Sequence, residues 1–125
     1  MKGDFMFGSC LCGKVSFEIQ GDARDVMACH CSQCRKTSGH YVAATQVNDT
    51  DLVIQGAANI TWFESSASAK RGFCATCGSS LFWKPNDRPR TSVHAGCLDN
   101  PTGLVMTQQI CSDDKGDYYD LPLPK

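Results

Sequence analysis

The chain has 125 residues and a mass of 13.6 kDa, the size of one domain. Its 42% hydrophobic and 20% charged residues are ordinary globular values, which excludes disorder over the whole chain. Twelve basic against thirteen acidic residues give a net charge of −1, without a nucleic-acid binder's basic surplus, and no apolar run approaches the ~18–20 residues of a membrane helix.

From Met1 to Cys10 there is one Lys and no apolar core segment, so no secretory signal is read and a reducing, cytoplasmic setting is expected. Residues 14–20, Lys-Val-Ser-Phe-Glu-Ile-Gln, alternate polar and apolar and predict a half-buried strand ended by Gly21-Asp22. A short helix is predicted after Cys31, with Ser32 as N-cap, Cys34 in the first turn and Gly39 as the stop. Tyr41 to Val47, Leu52 to Gln55 and Asn59 to Glu64 read as short strands. So do Arg71 to Cys74, Ser80 to Lys84, Thr91 to Ala95 and Leu104 to Ile110. Seven or eight short strands with frequent turn signals predict a small all-β domain with one short helix. The tail from Asp113 to Lys125 is expected to be irregular, docked by Tyr118, Tyr119 and Leu121, with Pro122 and Pro124 near its end.

Nine cysteines cannot all pair as disulfides, and in a reducing compartment clustered Cys points to metal or catalysis. Cys10 and Cys12 form a C-x-C, which in extended chain turns two sulfurs to one face. Cys74-Ala75-Thr76-Cys77-Gly78 is a knuckle that supplies two more, with Gly78 free to take positive φ. Two plus two make the closed Cys₄ tetrahedron of a structural zinc. The bland alternative is four thiols without metal.

Cys29, Cys31 and Cys34 offer three sulfurs and leave a fourth position open, the pattern of a catalytic zinc. His30, His94, Cys97 and Cys111 are the candidates to close it, although His30 is expected to point away from its neighbours. A ZnS₃ unit is electron-rich and suits another soft thiolate better than a hydroxide. Arg35, Lys36, Lys70 and Arg71 flank the clusters, either as solvated charge or as thiolate compensation. His40 and His94 read as surface and strand residues, and Cys97 and Cys111 as small core residues. Trp62, Phe63, Phe82 and Trp83 are expected to pack around the knuckle, one of them alternatively lining the open site.

Three segments together resemble one family: Gly8-Ser9-Cys10-Leu11-Cys12-Gly13-Lys14-Val15, Cys29-His30-Cys31-Ser32-Gln33-Cys34-Arg35-Lys36-Thr37-Ser38-Gly39, and Arg71-Gly72-Phe73-Cys74-Ala75-Thr76-Cys77-Gly78-Ser79-Ser80-Leu81. Gly96-Cys97-Leu98-Asp99 is similar to a weaker, later element. The chain thereby resembles the glutathione-dependent formaldehyde-activating enzymes, which include centromere protein V-like proteins, from Gly8 to Ile110. The resemblance implies a single β-tent-type domain over 1–125 with two zinc ions. Cys10, Cys12, Cys74 and Cys77 match the structural site, and Cys29, Cys31 and Cys34 the second, glutathione-associated one. It further implies carbon–sulfur lyase chemistry, joining formaldehyde to glutathione as S-hydroxymethylglutathione or reversing that step. Gln109 stands where many members have His, and Tyr118-Tyr119 where Trp is usual.

The expected function is therefore a zinc-dependent carbon–sulfur lyase using a small thiol, with no nucleic-acid or membrane partner. His40, Ser38 and an ordered water are the candidate proton donors. A non-enzymatic zinc module and a thiol redox sensor are the alternatives; Arg88-Pro89-Arg90 is a local basic patch that would serve the former.

Overall fold

Period-2 alternation sends Phe17 and Ile19 of β2 (Ser16–Ile19) inward and Ser16 and Glu18 outward, and the remaining strands are read the same way. The computed structural model describes residues 5–122; Pro124, and the ends of the chain at 1–4 and 123–125, lie outside the described residues. β1 (Met6–Ser9), β2 and β5 (Leu52–Gln55) form a small antiparallel sheet in the order β1-β2-β5.

The other strands are β3 (Val26–Cys29), β4 (Val42–Asn48), β6 (Ile60–Phe63), β7 (Ala69–Cys74), β8 (Ser80–Pro85), β9 (Arg90–His94) and β10 (Met106–Ile110). They form a seven-stranded sheet ordered β10-β3-β4-β9-β8-β7-β6. Its pairs are antiparallel except β10, which runs parallel to β3. One helix, α1 (Ser32–Ser38), follows β3. The protein is thus mostly β with a single short α-helix, as the turn spacing predicts. Two strands, β1 and β3, exceed the expected seven or eight.

The two sheets meet across one core. Val15, Phe17 and Ile19 pack against Val47, Leu81, Phe82 and Val93, with the Phe17 and Phe82 rings edge-on at 5.3 Å. Each fully buried side chain of this size contributes roughly 1.5–3 kcal/mol. Trp62 borders the core beside Phe82. Phe63 does not: it faces out on the edge strand at 58% exposure. Asp99 N–H donates to the Phe7 carbonyl at 2.8 Å and adds a main-chain tie between the sheets.

The opposite face of the large sheet is concave. Met27 and Cys29 of β3, Val42, Ala44 and Gln46 of β4, Ser92 and His94 of β9, Trp83 of β8 and Arg71 of β7 all point into it. These are alternate residues along their strands, so the intervening ones, such as Val47, Val93 and Phe82, face the core. The result is a cavity of about 500 Å³ with α1 at its end.

Candidate metal centres and thiol cavity

The first cysteine cluster joins two hairpin turns. Cys10 and Cys12 lie in the turn between β1 and β2, closed by Cys10 N–H to the Val15 carbonyl at 2.9 Å and Gly13 N–H to the Cys10 carbonyl at 3.2 Å. This C-x-C is therefore a turn and not the extended segment expected. The turn closed from Gly13 N–H to the Cys10 carbonyl brings both sulfurs to the same side, and Gly13 leaves it with a φ of 82°. Cys74 ends β7, and Cys77 sits in the knuckle, where Gly78 N–H donates to the Cys74 carbonyl at 2.8 Å. Leu11 N–H reaches Ser79 Oγ at 3.0 Å and stitches one turn to the other.

The four sulfurs converge within 4.8 Å of one another. Cys10 and Cys12 Sγ are 3.6 Å apart, and Cys12 and Cys74 Sγ are 3.7 Å apart. A tetrahedral ion with Zn–S bonds of ~2.3 Å needs sulfur–sulfur edges of about 3.8 Å, so the donor set fits. N–H donors reach two of the sulfurs. Val15 N–H donates to Cys10 Sγ at 3.4 Å, and Thr76 and Cys77 N–H donate to Cys74 Sγ at 3.4 Å. Asn59 Nδ2 donates to Cys74 Sγ at 3.2 Å.

Charge is unevenly shared among these thiols. The Ser79 hydroxyl and backbone, with other donors, bring Cys77 down to about 5. Burial opposes ionisation of Cys10, but the Val15 N–H and the sulfurs of Cys12 and Cys74 hold it below the usual thiol range. At Cys12 a backbone hydrogen bond from Lys14 pulls downward, yet desolvation and the neighbouring thiols drive it up to about 11. Four sulfurs this close cannot all ionise together without a cation.

The second cluster grows from the end of β3. Cys29 is the last residue of that strand, Cys31 caps α1, and Cys34 lies in its first turn. The cap differs from the expected Ser32: Cys31 Sγ accepts from Cys34 N–H at 3.3 Å, while Ser32 is the first helical residue. A thiol replaces the usual hydroxyl because the cap must also face the other two sulfurs. Gly39 ends the helix in the left-handed conformation, φ 85°, as expected. The three sulfurs lie within 4.8 Å of one another, again a donor set that suits a thiophilic ion. Contact with Cys34 and burial push the Cys29 thiol up, whereas the same contact, helped by Arg71, holds Cys34 down against its own burial. Arg71 Nη2 stands 3.7 Å from Cys34 Sγ and 3.2 Å from Gln33 Oε1. The thiolate-compensation role thus falls to Arg71. Lys70 instead lies over the Trp62 ring at 4.6 Å, and Arg35 Nε donates to the Asp114 carbonyl at 2.7 Å.

These sulfurs open into the 500 Å³ cavity. Arg24, Arg71 and Arg88 line it, and among the described residues no Asp or Glu does. Arg24 is held by the Asp25 and Ala44 carbonyls, at 3.2 and 3.1 Å. Trp83 is the aromatic that faces the site. The cavity was not legible in the sequence, because its wall is assembled from separate strands and mixes Met27, Val42 and Trp83 with Arg71, Ser92 and His94.

The remaining candidates separate clearly. His30 is fully buried and points away from the sulfurs, as expected, with Nε2 2.7 Å from Gln109 Oε1 and Nδ1 2.5 Å from the Tyr119 hydroxyl. Gln109 and Tyr119 therefore position this ring. His40 is exposed and pairs through Nδ1 with the Tyr118 hydroxyl at 2.6 Å; Ser38 Oγ is spent on the Cys34 carbonyl at 2.6 Å. The tail is irregular and docked chiefly by Tyr119, while Tyr118 stays exposed and stacks on His40. His94 lines the cavity with Nε2 shielded and unpaired, and burial together with the Arg71 cation lowers it to about 4. Cys97 borders the core and donates to the Ser80 carbonyl at 3.3 Å. Cys111 departs from the core role expected of it and is exposed just beyond β10. All nine cysteines are free thiols.

Comparison with known proteins supplies the context for this pair of clusters. The profile of the glutathione-dependent formaldehyde-activating enzymes matches residues 5–114. The chain belongs to that family. An uncharacterized lyase of Schizosaccharomyces pombe is 27% identical over 114 residues, covering 90% of this chain and 82% of the relative. A putative glutathione-dependent formaldehyde-activating enzyme of Halomonas elongata is 34% identical over 127 residues, covering 91% and 79%. The crystal structure of a Rhodobacter sphaeroides protein superposes with a TM-score of 0.67 at 29% identity, covering 83% of this chain and 99% of that one. Family membership makes an enzyme of the lyase kind the reading for this fold, and both cysteine clusters can hold metal. Among the described residues no helix is long and apolar enough to cross a membrane.

Proposed function

We propose that the chain is a two-zinc carbon–sulfur lyase that makes or breaks the adduct between a small anionic thiol, glutathione or a close relative, and an aldehyde such as formaldehyde. The observation that carries this reading is the placement of three cysteine sulfurs in a cavity lined, among the described residues, by three arginines and no carboxylate. Cys10, Cys12, Cys74 and Cys77 hold the structural ion, which ties the hairpin of the small sheet to that of the large one. Cys29, Cys31 and Cys34 hold the second ion. Zinc bound there keeps an incoming thiol deprotonated near neutral pH. The one domain is read as cytoplasmic, which nine free thiols support. No nucleic-acid partner is assigned.

The chain's own residues do the rest. The cavity volume is within the ~300–1,000 Å³ usual for small-molecule sites. Arg71 and Arg88 offer guanidinium forks to the thiol's carboxylates, and Arg24 adds positive potential from its carbonyl-bound position. Arg71 also offsets the negative charge of Cys34. Trp83 and Met27 shield the reacting carbon from bulk water. In the joining direction the sulfur forms a bond to the aldehyde carbon. The carbonyl pair moves to oxygen, and that oxygen takes a proton from water in the cavity; the lyase direction is the reverse.

Exchange spectroscopy by NMR on glutathione and formaldehyde, with and without the zinc-loaded protein, tests the reading. Acceleration by the wild type, lost in Cys34→Ser, is expected. Arg71→Gln is expected to raise KM about tenfold, the loss of one charge-assisted contact of about 1.4 kcal/mol. Zinc-loaded wild type that accelerates exchange with no thiol would overturn it.

A further inference from the structure

The parallel pairing of β10 with β3 sets Ile110 level with Cys29. The next residue, Cys111, therefore emerges at the rim of the three-Cys cluster. It is exposed and has a φ of 55°, the single positive value among the described non-glycine residues. Ile110, the residue before it, lines the same cavity as the three sulfurs. The other residues able to complete the cluster are engaged elsewhere. Both ring nitrogens of His30 are taken by Gln109 and Tyr119. Cys97 neighbours the first cluster and is bound to the Ser80 carbonyl. His94 stands in the field of the Arg71 cation, an unfavourable place for a metal ligand.

We infer that Cys111 is a displaceable fourth thiol for the Cys29–Cys31–Cys34 centre, a resting cap that an incoming small-molecule thiol must replace. This rests on the reading above, that the trio holds zinc and is open to a thiol. Cys111 falls outside the set of sulfurs within 4.8 Å of one another, whereas zinc-bound sulfurs lie about 3.8 Å apart. It must therefore move to engage the ion, and it can, because it follows the last residue of the strand and its side chain is exposed. In the exchange one zinc–sulfur bond would break and another form, and the proton of the incoming thiol would end on Cys111. A tethered competitor acts at an effective concentration of roughly millimolar order, so the cavity fills only when free thiol approaches that level.

The test uses the full-length, metal-loaded protein. Alkylation by iodoacetamide, read by mass spectrometry, is expected to modify Cys111 slowly in the zinc form and at least about fivefold faster after chelation or addition of glutathione. In the cobalt-substituted protein, Cys111→Ser and Cys111→Gly are each expected to shift the glutathione titration midpoint about fivefold lower, the glycine also suiting the left-handed backbone. Equal alkylation with and without metal, or identical titrations of wild type and variants, would remove Cys111 from the site while leaving the thiol-binding reading intact. A cobalt spectrum that responds to no thiol in either protein would instead overturn the reading beneath it.

Discussion

His94 makes acid stability a quantitative test of the cavity. Burial and the Arg71 cation lower its ring from the usual 6.5 to about 4, so the folded protein keeps it neutral. The unfolded chain binds a proton below about pH 6.5, and the folded chain does not until about pH 4. Stability from this group is thus intact at neutral pH and lost as pH falls through that window. Two and a half units correspond to about 3 kcal/mol in all, of which about 2 kcal/mol is lost between roughly pH 7 and pH 5. Arg24, Arg71 and Arg88 are the cations around this cavity. Urea unfolding of metal-loaded wild type and His94→Asn at both pH values gives the comparison. Acid loss of metal is common to both proteins and cancels in the difference. The wild type is expected to lose about 2 kcal/mol more than the variant. Parallel losses would show that His94 is not held neutral beside Arg71, and the packing of the cavity wall would need another account.

The two clusters are expected to fail differently on mutation. Cys77→Ser cuts the tie between the sheets and should lower the melting temperature by the equivalent of several kcal/mol, whereas Cys34→Ser should stay folded and lose one ion by elemental analysis; equal destabilisation would contradict that division. Gly56→Ala drives a Cβ into the Lys14 carbonyl oxygen at a φ of 81°, so a loss of about 1–3 kcal/mol in thermal unfolding is expected. Because Lys14 follows the Cys12-Gly13 turn, the same variant should release the first ion at lower chelator concentration. His30→Ala leaves Gln109 and Tyr119 unpaired and is expected to cost about 2–4 kcal/mol and expose the tail to protease, whereas His40→Ala, at the surface, should change little.

Both cysteine clusters were legible because their cysteines are local pairs and triples, and local spacing survives folding. The helix was legible for the same reason, although its cap moved from Ser32 to Cys31 once the thiol had two duties. The strand at Val26–Cys29 escaped because Val-Met-Ala-Cys has little β-branching, and its pairing with β4 and β10 comes from distant chain. Met6–Ser9 escaped because Gly8 brings no side chain to an alternating pattern, whereas it lies on a strand against the Phe17 ring. The arginine-lined cavity could not be seen, since Arg24, Arg71 and Arg88 come from separate segments and only the curl of the large sheet brings them to one face. Gln109 and Tyr118-Tyr119 depart from the family pattern in the sequence, but the common partner of Gln109 and Tyr119, the buried His30, emerges only from the fold.

A crystal structure of the zinc-loaded protein with anomalous data, collected with and without glutathione, tests the central claim most directly. Two anomalous peaks are predicted, one among Cys10, Cys12, Cys74 and Cys77 and one at Cys29, Cys31 and Cys34, with the glutathione sulfur entering the second at about 2.3 Å. A second site without metal, or one whose fourth position stays occupied by a protein atom in the presence of thiol, would contradict it.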